Sequence, residues 1–263
     1  MFQSPTDVAF NLFGVPVYCY GIILASAILV GVYGAYFLYK TFYDKEKASC
    51  IIDFSPFIII IGILGARLYY CLVNYSYYSS HLLEVFYIRQ GGLSIHGMII
   101  VGLFALYFFS KKYKMSFLRL MDVFLCGTAL GQCIGRWGNF FNSEAFGTPT
   151  DLPWKLYIPI SHRPTQYLNF EYFHPTFLYE SILDILIFIL LVSCFRRFSK
   201  HPGTLACCYL ILYSSARILV EHFRVDSVLN IAGIPIAQIV SVLIIFLSSV
   251  FLFVLLHRKK FED

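Results

Sequence analysis

Seven stretches of this chain, near residues 18–40, 51–73, 93–110, 120–138, 175–195, 203–220 and 235–257, are apolar over lengths that cross, or nearly cross, a bilayer core. A core of about 30 Å takes about 20 helical residues. The chain is therefore expected to be an all-α integral membrane protein with seven transmembrane helices, forming a single polytopic domain over residues 1–263. Composition points the same way. The chain is 59% hydrophobic and 13% charged, whereas soluble proteins carry about 25% charged residues. The 27 Phe and 20 Tyr suit a bundle anchored by rings at the headgroup level.

Basic residues set the expected orientation. The connections after the first, third and fifth runs, with the C-terminal tail, hold Lys40, Lys45, Lys47, Lys111, Lys112, Lys114, Arg119, Arg196, Arg197, Lys200, Arg258, Lys259 and Lys260, which is thirteen of the twenty Lys and Arg. The other side has Arg89, Lys155, Arg163 and Arg224, and the remaining three, Arg67, Arg136 and Arg217, fall inside runs. The positive-inside rule then puts the N-terminus outside and the C-terminus in the cytoplasm. No Lys or Arg precedes Lys40, so the first run lacks the basic region of a cleaved signal peptide and should stay in the mature chain. Residues 139–174, rich in proline, are the only sizeable stretch expected off the membrane and should form a small outward-facing cap. The short, glycine-containing runs at 93–110 and 120–138 leave room for tilting. The net charge of +5 sits in clusters between apolar runs, so nucleic acid is not an expected partner. The eight Cys lack CxxC spacing and read as packing residues rather than metal ligands.

Against this apolar background, residues 135–147 read Gly-Arg-Trp-Gly-Asn-Phe-Phe-Asn-Ser-Glu-Ala-Phe-Gly. An arginine at the bilayer centre costs about 2.5–3.5 kcal/mol on insertion scales, so Arg136 calls for a function. Gly135, Gly138 and Gly147 are expected to interrupt the helix here and bend backbone toward a ligand. By the topology above, other unusual residues gather at the same side: Tyr20, His96, Asn139, His174, Glu180, Arg217, Glu221 and Arg224. Arg217, Glu221 and Arg224 stand at i, i+4 and i+7, which predicts one helical face with the carboxylate between two guanidiniums. Each residue alone has a plainer reading. Arg217 with Glu221 would be a structural ion pair, His96 a hydrogen-bonded helix-start residue, Tyr20 an aromatic-belt residue, and Arg67 either a buried positioning group or a snorkelling one. Their convergence at one depth favours a site.

The 135–147 segment closely resembles the signature of the bacterial prolipoprotein diacylglyceryl transferases, GRxGNFxNxExxG, at every fixed position. Tyr20-Gly21, Gly91-Gly92 with Ser94 and His96-Gly97, His174-Pro175-Thr176, Leu178-Tyr179-Glu180, and Arg217 with Glu221 and Arg224 also match, so the resemblance covers nearly the whole chain in order. The chain departs from the family at Met98, where a second glycine is usual, at Phe177 in place of Gln, and at Val225-Asp226, where Glu-Pro-Asp is usual. The charged set is intact, so these changes bear on loop shape and substrate preference.

The resemblance implies a multi-pass protein of the bacterial cytoplasmic (inner) membrane. It implies transfer of the sn-1,2-diacylglyceryl group of phosphatidylglycerol to the lipobox cysteine thiol at a prolipoprotein signal peptide, forming a thioether and releasing glycerol phosphate. Read against that chemistry, Arg136 and Arg217 are candidates for stabilising the leaving phosphate through bidentate donors. His96 is either the base that takes the thiol proton or a group that orients lipid while the arginines favour the thiolate. Asn139, Asn142 and Glu144 would bind the glycerol headgroup or hold Arg136, Tyr20 would line the lipid's path, and Glu221 would orient the arginines beside Arg224. With no P-loop, acidic metal cluster or dinucleotide motif in the sequence, a site without metal or nucleotide cofactor is expected. A transporter or binder of an anionic phospholipid is the alternative, and the absence of internal repeats and the one-sided polar groups speak against it. A phosphatidyltransferase of the CDP-alcohol type would need an Asp-rich motif that this sequence lacks.

The charge bias makes the orientation testable: a reporter fused after Asp263 is expected in the cytoplasm and one inserted near Thr150 outside. Both reporters on one side would contradict a seven-span chain.

Overall fold

The computed structural model describes residues 2–88, 91–225, 230–231 and 234–257. Arg89, Asp226, Arg258, Lys259 and Lys260, on which sequence expectations fell, lie outside the described residues. Seven of the described helices are long and apolar enough to cross a membrane. They are α1 (Cys19–Phe42), α2 (Ser49–Val73), α4 (Ile95–Lys112), α5 (Phe117–Phe141), α6 (Thr176–Phe198), α7 (Thr204–Glu221) and α8 (Ile236–His257); a single turn, α3 (Tyr75–Tyr78), follows α2. Each lies within three residues of an apolar run. The chain groups into two compact units, Met1–Ala35 with Asp122–Asp263, and Tyr36–Met121, the division falling inside α1 and α5.

In the first unit, α1 and α5 approach through small residues. A side chain on Gly31 or Gly127 would run into the other's carbonyl, and one on Gly131 would meet the Ala27 carbonyl. Small residues let backbones touch where lipid offers no hydrophobic drive to helix pairing. Helix α7 packs against α6 and α8, and its start is fixed from α5. Asp122, fully buried, accepts the Gly203 N–H at Oδ2 and the Ala206 N–H at Oδ1, both at 2.8 Å. A carboxylate at a helix N-terminus satisfies otherwise orphaned amides and meets the positive end of the dipole.

The segment between α5 and α6 folds as a small β-containing cap. Strand β1 (Phe2–Gln3) pairs in parallel with β4 (Leu156–Tyr157), which pairs antiparallel with β5 (Tyr172–Phe173). Before α1, β2 (Val8–Leu12) and β3 (Val15–Tyr18) form a hairpin that turns at Phe13 and Gly14, and a short pair, β6 (Asn230–Ile231) with β7 (Ile234–Pro235), precedes α8. A hydrophobic core of Phe140, Phe146, Leu156, Ile158, Phe173 and Phe177 joins the end of α5, the cap and the start of α6. A polar chain pins the cap as well: Trp154 Nε1 donates to the Tyr179 hydroxyl at 2.9 Å, which lies 3.1 Å from His174 Nδ1. Burial holds the His174 pKa below its ordinary value, because the cation is the form that loses solvation.

The second unit corrects one sequence expectation. Residues 139–174 are not the only long stretch outside the spans, because α2 ends at Val73 and α4 begins at Ile95, with α3 and a 3₁₀ turn (Leu82–Phe86) between them. Arg67 organises this connection from inside α2. It is 5% exposed and donates to the carbonyls of Glu84, Val85, Gly91 and Gly92, its guanidinium lying over the Tyr78 ring. It is thus a buried positioning group rather than a snorkelling one. Gly92, with φ +69°, presses directly on Arg67 and Tyr70, where a Cβ would not fit. Because loop carbonyls have few partners in an apolar setting, one five-donor guanidinium replaces the water they would otherwise need.

Two measurements check this account. Asp122→Ala strands two buried amides and should cost about 2 kcal/mol or more, seen as a lower melting temperature in detergent; an unchanged value would remove the cap's importance. Because His174 has a lowered folded pKa, its stability contribution is present above the unfolded value of about 6.5 and is lost as pH falls through the folded one. The melting temperature should therefore drop on acidification from about pH 8 to about pH 5, less steeply in His174→Asn than in the parent. Equal slopes would show that His174 does not drive the drop.

Candidate active site

The signature segment does not break the helix. Contrary to the expectation of glycine-driven bending, α5 runs through Gly135 and Gly138 to Phe141. Gly138 serves close approach instead: a Cβ there would lie 2.8 Å from the Tyr20 ring, so the glycine seats Tyr20 on α5. The chain reverses only after the helix, through the left-handed residues Ser143 (φ 52°) and Ala145 (φ 53°). Thr176 Oγ1 donates to the Ala145 carbonyl, and the Glu144 N–H donates to the Asn139 carbonyl at 3.0 Å. Two non-glycine residues held at positive φ mark a turn whose surroundings dictate its shape. Gly147 then fits against His174, Phe223 and Thr176 with no room for a side chain, and bridges to Arg224. The last glycine of the signature thus helps to place Arg224.

One carboxylate gathers the cationic side chains. Glu180, on the second turn of α6 and 5% exposed, holds Arg136 Nη1 at 2.6 Å through Oε2 and Arg217 Nη1 at 2.6 Å through Oε1, with Arg224 Nη1 at 3.4 Å from Oε1. A second carboxylate attends each of two arginines. Glu221 Oε2 lies 2.6 Å from Arg217 Nη2, and Asp184 Oδ2 lies 3.8 Å from Arg136 Nε. Tyr213 offers its hydroxyl 3.4 Å from Arg136 Nη2. The predicted i, i+4 pair of Arg217 and Glu221 is present. The predicted i+7 member is not on that face, because α7 ends at Glu221, and Arg224 reaches Glu180 from the following turn. The sequence places Glu180 among the outer polar residues without giving it a role, and Asp184 is the residue it does not bring forward. A carboxylate pair at i, i+4 inside an apolar run was the available signal.

Arg136 is therefore held by Glu180 and Asp184, while Asn139 Nδ2 donates to Glu144 Oε1 at 2.9 Å. Tyr20, Asn142 and Glu144 meet in a cleft of about 800 Å³ bounded by the N-terminal residues Gln3–Asp7 and the turn after α5. Tyr20 lies within electrostatic reach of both Glu144 and Arg136, so the cleft and the arginine cluster adjoin. His96 belongs to the other unit, on the first turn of α4, exposed, with its ring 6.0 Å from that of Tyr69. Arg67, by fixing the loop through Gly92, and the Ser94 N–H bond to the Ala66 carbonyl at 3.0 Å, set the backbone on which His96 is carried.

The arginine fork is the group type that meets phosphate oxygens in pairs. Three such forks on one buried carboxylate make a site preorganised for an anion while remaining neutralised in its absence. Comparison with known proteins agrees with that chemistry. The family model described as prolipoprotein diacylglyceryl transferase matches residues 7–254. Proteins named phosphatidylglycerol–prolipoprotein diacylglyceryl transferase are similar throughout: one from Thermosynechococcus vestitus is 44% identical over 262 residues, covering 98% of this chain and 96% of its own. One from a Synechocystis species is 42% identical over 253 residues, covering 94% and 88%, and one from a Nostoc species is 44% identical over 246 residues, covering 92% and 86%. With a model match and full-length likeness that take in the whole arginine cluster, the chain belongs to the prolipoprotein diacylglyceryl transferase family.

Proposed function

We propose that this protein transfers the sn-1,2-diacylglyceryl group of phosphatidylglycerol to the lipobox cysteine of a prolipoprotein, in the bacterial inner membrane, with its N-terminus outside. The observation that carries the reading is the cluster of Arg136, Arg217 and Arg224 on Glu180. In this reaction the cysteine sulfur attacks the glyceryl carbon that bears the phosphate ester. The S–C bond forms as the C–O bond breaks, and the electron pair leaves with glycerol phosphate. The thiol proton departs to a base or to solvent.

Negative charge grows on the leaving phosphate oxygen, and a positioned guanidinium counters it best where water is scarce. Arg136 and Arg217 have that role, each 18–20% exposed at its side chain and so open to a headgroup while backed by buried carboxylates. Glu180 fixes the spacing of the forks, Glu221 orients Arg217 and Arg224 completes the cationic side. A thiol of pKa about 8.5 is mostly protonated at neutral pH, and His96 is assigned as the base that removes its proton. Tyr20, Asn139, Asn142 and Glu144 form the polar surround where the acceptor meets the lipid.

Incubating the purified protein with phosphatidylglycerol and a lipobox peptide should add one diacylglyceryl mass to the peptide; no addition would refute the activity. Arg136→Ala should lower turnover at least about a hundredfold in protein that still folds, and Arg136→Lys should also be poor because a point charge cannot replace the fork. Glu180→Gln should depress turnover per folded molecule as well, since two forks lose their common anchor. Near-normal turnover by Arg136→Ala would remove it from the leaving-group role.

A further inference from the structure

The cleft beside the arginine cluster has the wrong electrostatics for phosphate. Its lining holds two carboxylates, Asp7 and Glu144, one imidazole, His162, and no Lys or Arg among the described residues. An anionic headgroup gains nothing from such walls, and the neighbouring guanidiniums already offer phosphate its partners. The cleft of about 800 Å³ is also far roomier than one terminal glycerol requires. Its polar side chains Gln3, Ser4, Thr6 and Asn142 offer hydrogen bonds, and Asp7 and Glu144 are exposed, so a chain could reach the cleft from water.

We infer that this cleft takes the acceptor polypeptide just past its cysteine, in extended form, and favours cationic or uncharged residues there over acidic ones. The inference rests on the diacylglyceryl-transfer reading above. An acceptor whose cysteine sits at the arginines must send its apolar signal segment toward lipid and its following residues toward water. Tyr20 links the two places, since its ring rests on Gly138, one turn or less from Arg136, and the residue also lines the cleft. The polar chain that leaves the cysteine therefore meets Tyr20 first and Asp7 and Glu144 beyond it.

The test uses the full-length protein in phosphatidylglycerol vesicles and three lipobox peptides that differ only in the residues after the cysteine, carrying Lys, Ser or Asp. KM for the Lys peptide should be about threefold or more below that for the Asp peptide, the size of an exposed charge interaction, and added salt should shrink the difference. Asp7→Lys should erase or invert the preference without moving KM for phosphatidylglycerol. Asp7 has no side-chain partner that folding depends on among the described hydrogen bonds and ion pairs, and its circular dichroism and melting should match the parent's. Equal KM values for the three peptides overturn the inference, as does an Asp7→Lys variant whose altered KM is that for the lipid, which would make the cleft a headgroup site. If the parent modifies none of the peptides, the transfer reading itself fails and this inference falls with it.

Discussion

The ionic contact of Glu180 with three arginines is the constraint around which the first unit is arranged. Separately, each guanidinium inside a membrane segment would cost more than its contacts return. Brought to one carboxylate, with Glu221 and Asp184 behind, the charges compensate one another at 2.6 to 3.8 Å. The contributors come from α5, α6, α7 and the turn after α7, so those pieces must meet at this depth. The features around the cluster serve that meeting. Asp122 fixes where α7 starts, Gly127 and Gly131 let α5 approach α1, and Gly147 ties the turn carrying Arg224 to the cap.

A neutral resting cluster also suits the chemistry. Three cations facing three carboxylates need no permanent counterion, yet each arginine has five donors, more than the carboxylate oxygens consume. An arriving phosphate can thus be bound without first stripping the forks from their supports. The geometry is held by groups that do not take part in the reaction, which is the arrangement that lets fixed dipoles stabilise developing charge without reorganising.

Most of the architecture was legible from the sequence because hydrophobic length is a direct consequence of bilayer thickness. The seven apolar runs reproduce the seven long helices. The Arg217–Glu221 pair followed from helical spacing. Arg224 did not, because the spacing rule presumes a helix that continues, and α7 stops at Glu221. Glu180 is among the outer polar residues the sequence brings forward, but its role as the common anchor escapes the sequence for a related reason. Its partners lie 37 to 44 residues away on either side, and tertiary proximity at that range leaves no periodic trace. The glycines at 135 and 138 were misread as breaks because glycine's backbone freedom and its lack of a side chain predict opposite things, and here the second decides: α5 stays helical and Tyr20 fills the space. The 74–94 connection already falls between the apolar runs at 51–73 and 93–110, and what the sequence does not show is that Arg67 orders it from inside α2.

The buried charges separate into two kinds by what they bond to. Arg67 gives its donors to backbone carbonyls, and Asp122 receives backbone amides. Such pairings are saturated by parts of the chain that cannot move away without unfolding, so they hold structure. Arg136, Arg217 and Glu180 instead bond to one another's side chains, which are tethered at one end only and can share a proton donor with a newcomer. In a medium where an unpaired polar atom costs several kcal/mol, only the second kind can afford to take on a substrate. An intramembrane charge satisfied by side chains rather than by backbone is accordingly the better guide to where chemistry is done.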